Sequence, residues 1–190
     1  MNKKGDIMTI FRPIKEEELQ MIMEWRMRPD ITQFMYTDPQ LTLEMQRKWF
    51  HSLKGRKDMF SFMIEVDGIP SGILNITDID YKNHRCSWGY YMAVKEKRSL
   101  PLAMAIEWNL YDYVFDELGM HKLEGEIFSF NKAVLRIHQM CGSEIEGELK
   151  DHIYKNGQFC DVTVTGILKE QWEVIKKNRN YEKIQFDVCC

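Results

Sequence analysis

Residues Phe60 to Val94 read FSFMIEV-DGIPS-GILNITDI-DYKNHR-CSWGYYMAV, and this stretch decides the fold. Phe60, Phe62, Ile64 and Val66 alternate strictly, the pattern of a half-buried strand. Asp67-Gly68 follows at once, and this dipeptide is the strongest short hairpin signal because both residues tolerate positive φ. A second strand runs from Gly72 to Ile79, and Tyr81-Lys-Asn-His84 makes another turn. The third, Cys86 to Val94, is nearly all apolar and aromatic, as a central strand should be. Three consecutive strands thus open a sheet.

Outward from this meander the period changes. Upstream, Ile7 to Phe11 is a short strand stopped at Pro13. From Glu16 a helix places Leu19, Ile22, Met23 and Arg26 on one face and ends at Pro29. A second helix follows Thr42 with Met45, Trp49 and Leu53 on one side. The aromatic segment between the helices, Ile31 to Pro39, has no regular period. Downstream, Pro101 to Leu118 is the longest helix, with proline suited to its first turn and Gly119 to its C-cap. Lys122 to Phe128 is a strand, and Asn131 to Met140 a short helix ended by Gly142. Glu144 to Asp151 and Phe159 to Leu168 form a hairpin around Asn156-Gly157. The expected order is β-α-α-β-β-β-α-β-α-β-β, an α/β fold with one mixed sheet and helices on both faces. Residues 1–172 make one domain, and 173–190 form a charged, peripheral C-terminal tail.

The 190 residues carry 26 basic and 29 acidic side chains, a net charge of -3, which leaves no global electrostatic footprint for nucleic acid. Five cysteines at 86, 141, 160, 189 and 190 show no CxxC spacing, so neither a disulfide framework nor a metal site follows, and free thiols in a reducing cytoplasm are expected. The N-terminal MNKKGDIMTIFRP lacks the apolar run of a signal peptide. No segment approaches the roughly 20 apolar residues of a membrane-spanning helix, so no membrane partner is expected.

Two blocks carry a resemblance to a known family. Asn131-Lys-Ala-Val-Leu-Arg-Ile-His-Gln-Met-Cys-Gly142 with Glu146-Gly147, and the run from Leu149 through Gly157 to Val162, resemble the GCN5-related N-acetyltransferase (GNAT) family over about Met8 to Trp172. Glu24-Trp25-Arg26, Met35-Tyr36-Thr37-Asp38 and Asn75 to Asn83 are further similar to the pseudaminic-acid-pathway acetyltransferases. That resemblance implies acetyl-CoA as donor and the 4-amino group of a UDP-linked amino-deoxy sugar as acceptor, with no metal. It also implies a sheet whose central parallel strands, Cys86 to Val94 and Lys122 to Phe128, splay apart around the thioester. Homodimers are common in the family.

The resemblance assigns the pantetheine and carbonyl contacts to Tyr91, Met92, Ala93 and Val94 through a bulge, and the pyrophosphate to the following loop and helix start. Here Lys95, Lys97, Arg98, Ser99 and Ala103 are the binding residues, although Ser99 and Pro101 stand where the family carries glycines, and Pro101 has no N–H. Asn131 is assigned to the pantetheine arm, and as a bare residue it reads as an N-cap. His138 stands where relatives carry a tyrosine that protonates the leaving thiolate, and an imidazole suits that proton transfer at neutral pH. Asn75 and Thr77 lie two apart, hence on one strand face, where they can hold a water that relays the amine proton, and Glu126 is a carboxylate alternative. Arg26, Arg28, Tyr36 and Tyr90 are the expected acceptor contacts, because a charge such as Arg26 on an apolar helix face needs an anionic partner. Acceptors left open are a protein N-terminus, a polyamine or another small amine, and a non-catalytic acyl-CoA-binding domain is the reading from a different class.

Overall fold

The computed structural model describes residues 8–187; Ile7 of the opening strand, the rest of the N-terminal heptapeptide, and Cys189 and Cys190 lie outside the described residues. The elements follow as β1 (Thr9–Pro13), α1 (Leu19–Arg26), α2 (Pro29–Thr32), α3 (Leu43–Ser52), β2 (Phe60–Val66), β3 (Ile69–Asp80), β4 (Arg85–Met92), α4 (Leu100–Asp112), β5 (Lys122–Phe128), α5 (Lys132–Cys141), β6 (Glu144–Lys155), β7 (Gln158–Leu168), α6 (Lys169–Ile175) and β8 (Gln185–Phe186). A π-helical turn, Tyr113–Glu117, extends α4. The sheet order is β6-β7-β5-β4-β3-β2-β1-β8. Its neighbours are antiparallel except β4–β5 and β1–β8.

Both dipeptide turns form as their chemistry requires. Asp67 and Gly68 have φ of 53° and 75°, and Asn156 and Gly157 have 51° and 82°, positive at both central positions as a type I′ turn demands. Two apolar layers cover the sheet. On one face Phe62, Ile64, Leu74 and Ile76 pack under Ile106, Leu110, Tyr111 and Phe115 of the α4 region and under Trp172 of α6. On the other, Met63 and Ile73 meet Leu19, Ile22 and Trp25 of α1 and Ile31 of α2.

Three expectations need correction. Pro29 does not simply end the first helix; it starts the one-turn α2, where its fixed φ suits the first position. Helix α3 is rolled, so that Met45 is exposed and Gln46 is buried, because Leu43, Trp49 and Phe50 pack against the α1 cluster. The C-terminal segment is not peripheral. Ile184 is buried, and β8 pairs with β1, with the Phe186 ring stacked on Tyr113 at 4.0 Å. A two-residue parallel strand, whose Phe186 packs on Phe11, Phe62 and Tyr113, is too short to show as a period.

The parallel pair positions the site. β4 and β5 are joined only at Arg85↔Lys122, Cys86↔Leu123 and Ser87↔Glu124, and then diverge into an open V. At the crotch, a Cβ built on Gly125 of β5 would lie 3.4 Å from Trp88 Nε1 of β4, so the indole bridges the strands where they part. Close packing also fixes β3 against β4: a Cβ at Gly72 would fall 2.1 Å from the Tyr91 carbonyl oxygen and 3.1 Å from Met92 Cα. Backbone atoms cannot swing aside as a side-chain tip does. Gly72→Ala should therefore cost about 3 kcal/mol and lower the melting temperature by roughly 6–12 °C, as a calorimetric scan would record.

Candidate active site

The two flanks of the V differ in chemistry. Alternation along β3 and β4 puts Ile73, Asn75 and Thr77 on the face of α1 and α2, beside Tyr91, Gly89 and Ser87 in register. Trp88, Tyr90 and Met92 face α4. A Cβ at Gly89 would meet nothing within 4 Å, so the α1–α2 face opens as a trough between Asn75 and the V. Asn75 Oδ1 accepts from Ser61 Oγ at 2.7 Å.

On the α4 side lies a buried polar chain. Glu107, 0% exposed, bonds His138 Nδ1 through Oε1 at 2.8 Å and accepts Tyr111 Oη on Oε2 at 3.0 Å; Tyr111 in turn meets Ser143 Oγ at 3.1 Å. His138 itself is 5% exposed, and its ring packs against Trp88 at 5.0 Å between centroids. The imidazole thus stands one indole away from the crotch, with Nδ1 committed and Nε2 free of a protein partner among the described residues. Burial pushes the Tyr111 and Cys141 groups beside it well above their usual range, so neither ionises there at neutral pH.

At the end of β4, the N–H groups of Ala93 and Val94 both donate to the Ser71 carbonyl, at 2.7 and 3.2 Å, two against one as in a bulge. Two of the four expected backbone donors are therefore spent inside the sheet, a correction to the assignment of Ala93 and Val94. The start of α4 keeps donors. Ser99 is its N-cap, its Oγ accepting from Leu102 N at 3.3 Å, and Ala103 N bonds the Ser99 carbonyl. Since Pro101 has no N–H, the amides of Ser99 and Leu100 remain to face an anion at the helix terminus. The loop cations are ordered by acids. Arg98 donates to the Met92 carbonyl and to Asp30, Lys95 lies 3.7 Å from Asp30, and Lys97 pairs with Asp67 at 2.7 Å. Asn131 caps α5, accepting from Val134 N at 3.5 Å.

Arg28 is a second correction. Its guanidinium forks onto Asp30 at 2.8 and 2.9 Å and donates to the Ala93 carbonyl at 2.9 Å, so it ties α2 to the end of β4 rather than standing free for an acceptor. The Arg28 hydrogen bond, helped by Arg98 and Lys95, holds the Asp30 carboxyl well below the usual carboxylate range. A depressed folded pKa gives stability that is complete above the unfolded value near 3.9 and is lost as pH falls through the folded one. The stability gap between wild type and Asp30→Asn should accordingly stay constant from pH 7 to about 5 and shrink below about 4, in urea titrations across that range.

The acceptor side gathers Arg26, Tyr36 and Glu126. Tyr36 Oη donates to Glu126 Oε2 at 2.8 Å, and its ring sits edge-on to Phe128 at 5.3 Å. Burial first, and then Glu126, push the Tyr36 hydroxyl above its ordinary range. Arg26 Nη2 donates to Thr37 Oγ1 at 3.0 Å. It forms no ion pair among the described residues, and burial pushes its guanidinium down. Tyr90 is a third correction: it stacks on Trp88 at 5.9 Å on the α4 flank, across the sheet from Arg26 and Tyr36, because strand alternation sends it there. Glu107, Asp30, Thr37 and Lys155 were missed by sequence reasoning. Only Glu107, a carboxylate inside an otherwise apolar helix, carried a readable signal.

A mixed sheet opened by splayed parallel strands, with an anion-ready helix start on one flank and a polar trough on the other, defines an acyl-CoA-dependent acyltransferase. Residues 9–144 match the acetyltransferase (GNAT) domain family, and the chain belongs to that family. It is an N-acetyltransferase whose donor is acetyl-CoA. It is 31% identical over 130 residues to the SPbeta prophage-derived uncharacterized N-acetyltransferase YokL of Bacillus subtilis, spanning 67% of this chain and 72% of the relative. It is 26% identical to the acetyltransferase PseH of Campylobacter jejuni, over 76% of this chain and 88% of that protein. To spermidine N(1)-acetyltransferase of Escherichia coli it is 22%, over 85% and 86%. The fold matches that of spermidine N-acetyltransferase from Vibrio cholerae, solved with CoA and spermine, with a TM-score of 0.81, 18% identity, and coverage of 87% of this chain and 98% of the other. No helix among the described residues is long and apolar enough to cross a membrane.

Proposed function

We propose that the acceptor is an amine borne by an anionic molecule, a UDP-linked amino-deoxy sugar, acetylated on that amine. Arg26 carries this reading. A half-buried guanidinium whose partners among the described residues are threonine oxygens is unfavourable until an anion meets it, and a planar fork matches a phosphate oxygen pair. Of the acids nearby, Asp38 is held by Lys155 at 2.7 Å. Glu124 is neutralised by Arg85 at 3.0 Å and Lys122 at 3.1 Å, which leaves Glu126 as the exposed carboxylate of that strand face.

Acetyl-CoA supplies the thioester carbonyl that the amine attacks. The residues suited to its diphosphate are Lys95, Arg98 and the Ser99 and Leu100 amides, with Lys97 nearby, while Tyr91, Met92 and Asn131 flank the V. Glu126, exposed in the cleft, receives the proton of the attacking amine, or a water on Asn75 and Thr77 relays it. His138 supplies the proton that the departing sulfur takes up, and Glu107 holds its ring. One proton leaves the amine and one reaches the thiolate, so the transfer is balanced.

A polyamine acceptor is the second reading, supported by Glu126 and by the relatives named for spermidine. Inhibition by UDP separates the two. Competition against the acceptor with no competition against acetyl-CoA supports the nucleotide reading, whereas no inhibition at millimolar UDP overturns it.

A further inference from the structure

We propose that Lys155 is a positioning residue for the acceptor, clamping the α2–α3 loop to the tip of the β6–β7 hairpin. Lys155 ends β6, directly before the Asn156-Gly157 turn, and is only 8% exposed. Its Nζ donates to the Thr32 carbonyl at 3.0 Å, the Met35 carbonyl at 2.8 Å and Asp38 Oδ1 at 2.7 Å. An ammonium has three donors and all are used, which is what a buried lysine requires. Thr32 is the last residue of α2, so the cation also closes the negative end of that turn.

The consequence lies in what the clamped loop carries. Its residues 36, 37 and 38 are held from three different elements: Tyr36 by Glu126 of β5, Thr37 by Arg26 of α1, and Asp38 by Lys155 of β6. The first two bonds are solvent-exposed, whereas the Lys155 bonds are buried or half-buried. Exposed bonds open readily and hold little, so the buried cation, together with the packing of the Tyr36 ring on Phe128, sets where Tyr36 and Thr37 stand in the trough. The β6–β7 hairpin thereby becomes a wall of the acceptor site although it contributes nothing to the V itself. This inference rests on the proposed function only in placing the acceptor beside Tyr36.

Lys155→Met tests it, since methionine keeps most of the stem without the charge. Hydrogen exchange of amides 31–38 should quicken about tenfold or more. Acceptor KM should rise about tenfold while acetyl-CoA KM stays within roughly twofold, the split that marks positioning. The acceptor used is the UDP-amino sugar, or spermidine if that is the amine wild type turns over, so failure of the nucleotide reading does not touch this test. Asp38→Ala, which removes only the outer partner, should give the same pattern about threefold in size and serves if the methionine variant does not fold. Unchanged exchange in 31–38 overturns the clamp. Quickened exchange with an unchanged acceptor KM overturns the positioning role, leaving Lys155 merely structural.

Discussion

His138→Gln is expected to fold like the wild type and to lose about a hundredfold to ten-thousandfold in kcat, with acetyl-CoA KM little changed. The carboxamide can still donate to Glu107, which is fully buried and is also bonded by Tyr111, with the Cys141 thiol beside it. It cannot carry a proton to sulfur. His138→Phe adds a second effect, because it removes the imidazole partner of the Glu107 carboxylate inside the α4–α5 layer. Breaking a buried pair on one side costs about 3–5 kcal/mol, so the phenylalanine variant should melt roughly 6–20 °C lower while the glutamine variant does not. Comparing the two separates chemistry from packing. Equal melting temperatures with full turnover in both variants would remove His138 from the reaction and Glu107 from its support.

Arg26→Ala is the second large effect. A charge-assisted hydrogen bond to a phosphate is worth about 1.5–3 kcal/mol, so the acceptor kcat/KM should fall by roughly 10–150-fold for a UDP-amino sugar. Lysine at this position should recover little, because a point charge does not reproduce the planar fork that Thr37 Oγ1 and the Thr37 carbonyl now orient. Stability should hardly change, since no ion pair is lost among the described residues and a desolvated cation is removed. Steady-state kinetics with the acceptor varied at saturating acetyl-CoA reads the effect. For spermidine the same substitution is expected to leave kcat/KM unchanged or to raise it, since a cation facing a polycation is removed.

Most of the scaffold was legible because local chemistry determines it. Asp67-Gly68 and Asn156-Gly157 need positive φ at both central residues and take it; Asn131 and Gly142 cap α5, the latter at φ 119°. Strand β5 runs from Lys122 to Phe128, as its composition suggested. What escaped was long-range. Glu107 and His138 are 31 residues apart on different helices, and Lys155 reaches carbonyls more than a hundred positions away. No period marks a lysine as buried, because what buries it is the loop it holds. Arg28 was misread for a related reason: its partner Asp30 is only two residues along, but α2 had to form for the pair to face β4. At the end of β4 the N–H groups of Ala93 and Val94 turn toward Ser71, a pairing between strands that no local period announces.

The central claim is that the trough beside Arg26 receives an anionic amine. Its most direct test is the ratio of kcat/KM for a UDP-4-amino-deoxy sugar to that for spermidine, measured by thiol release from acetyl-CoA on one preparation of the full chain. A half-buried guanidinium with no ion pair among the described residues predicts a ratio of about a hundred or more in favour of the nucleotide sugar, falling by roughly 10–150-fold in Arg26→Ala. A ratio below one in the wild type would contradict the account.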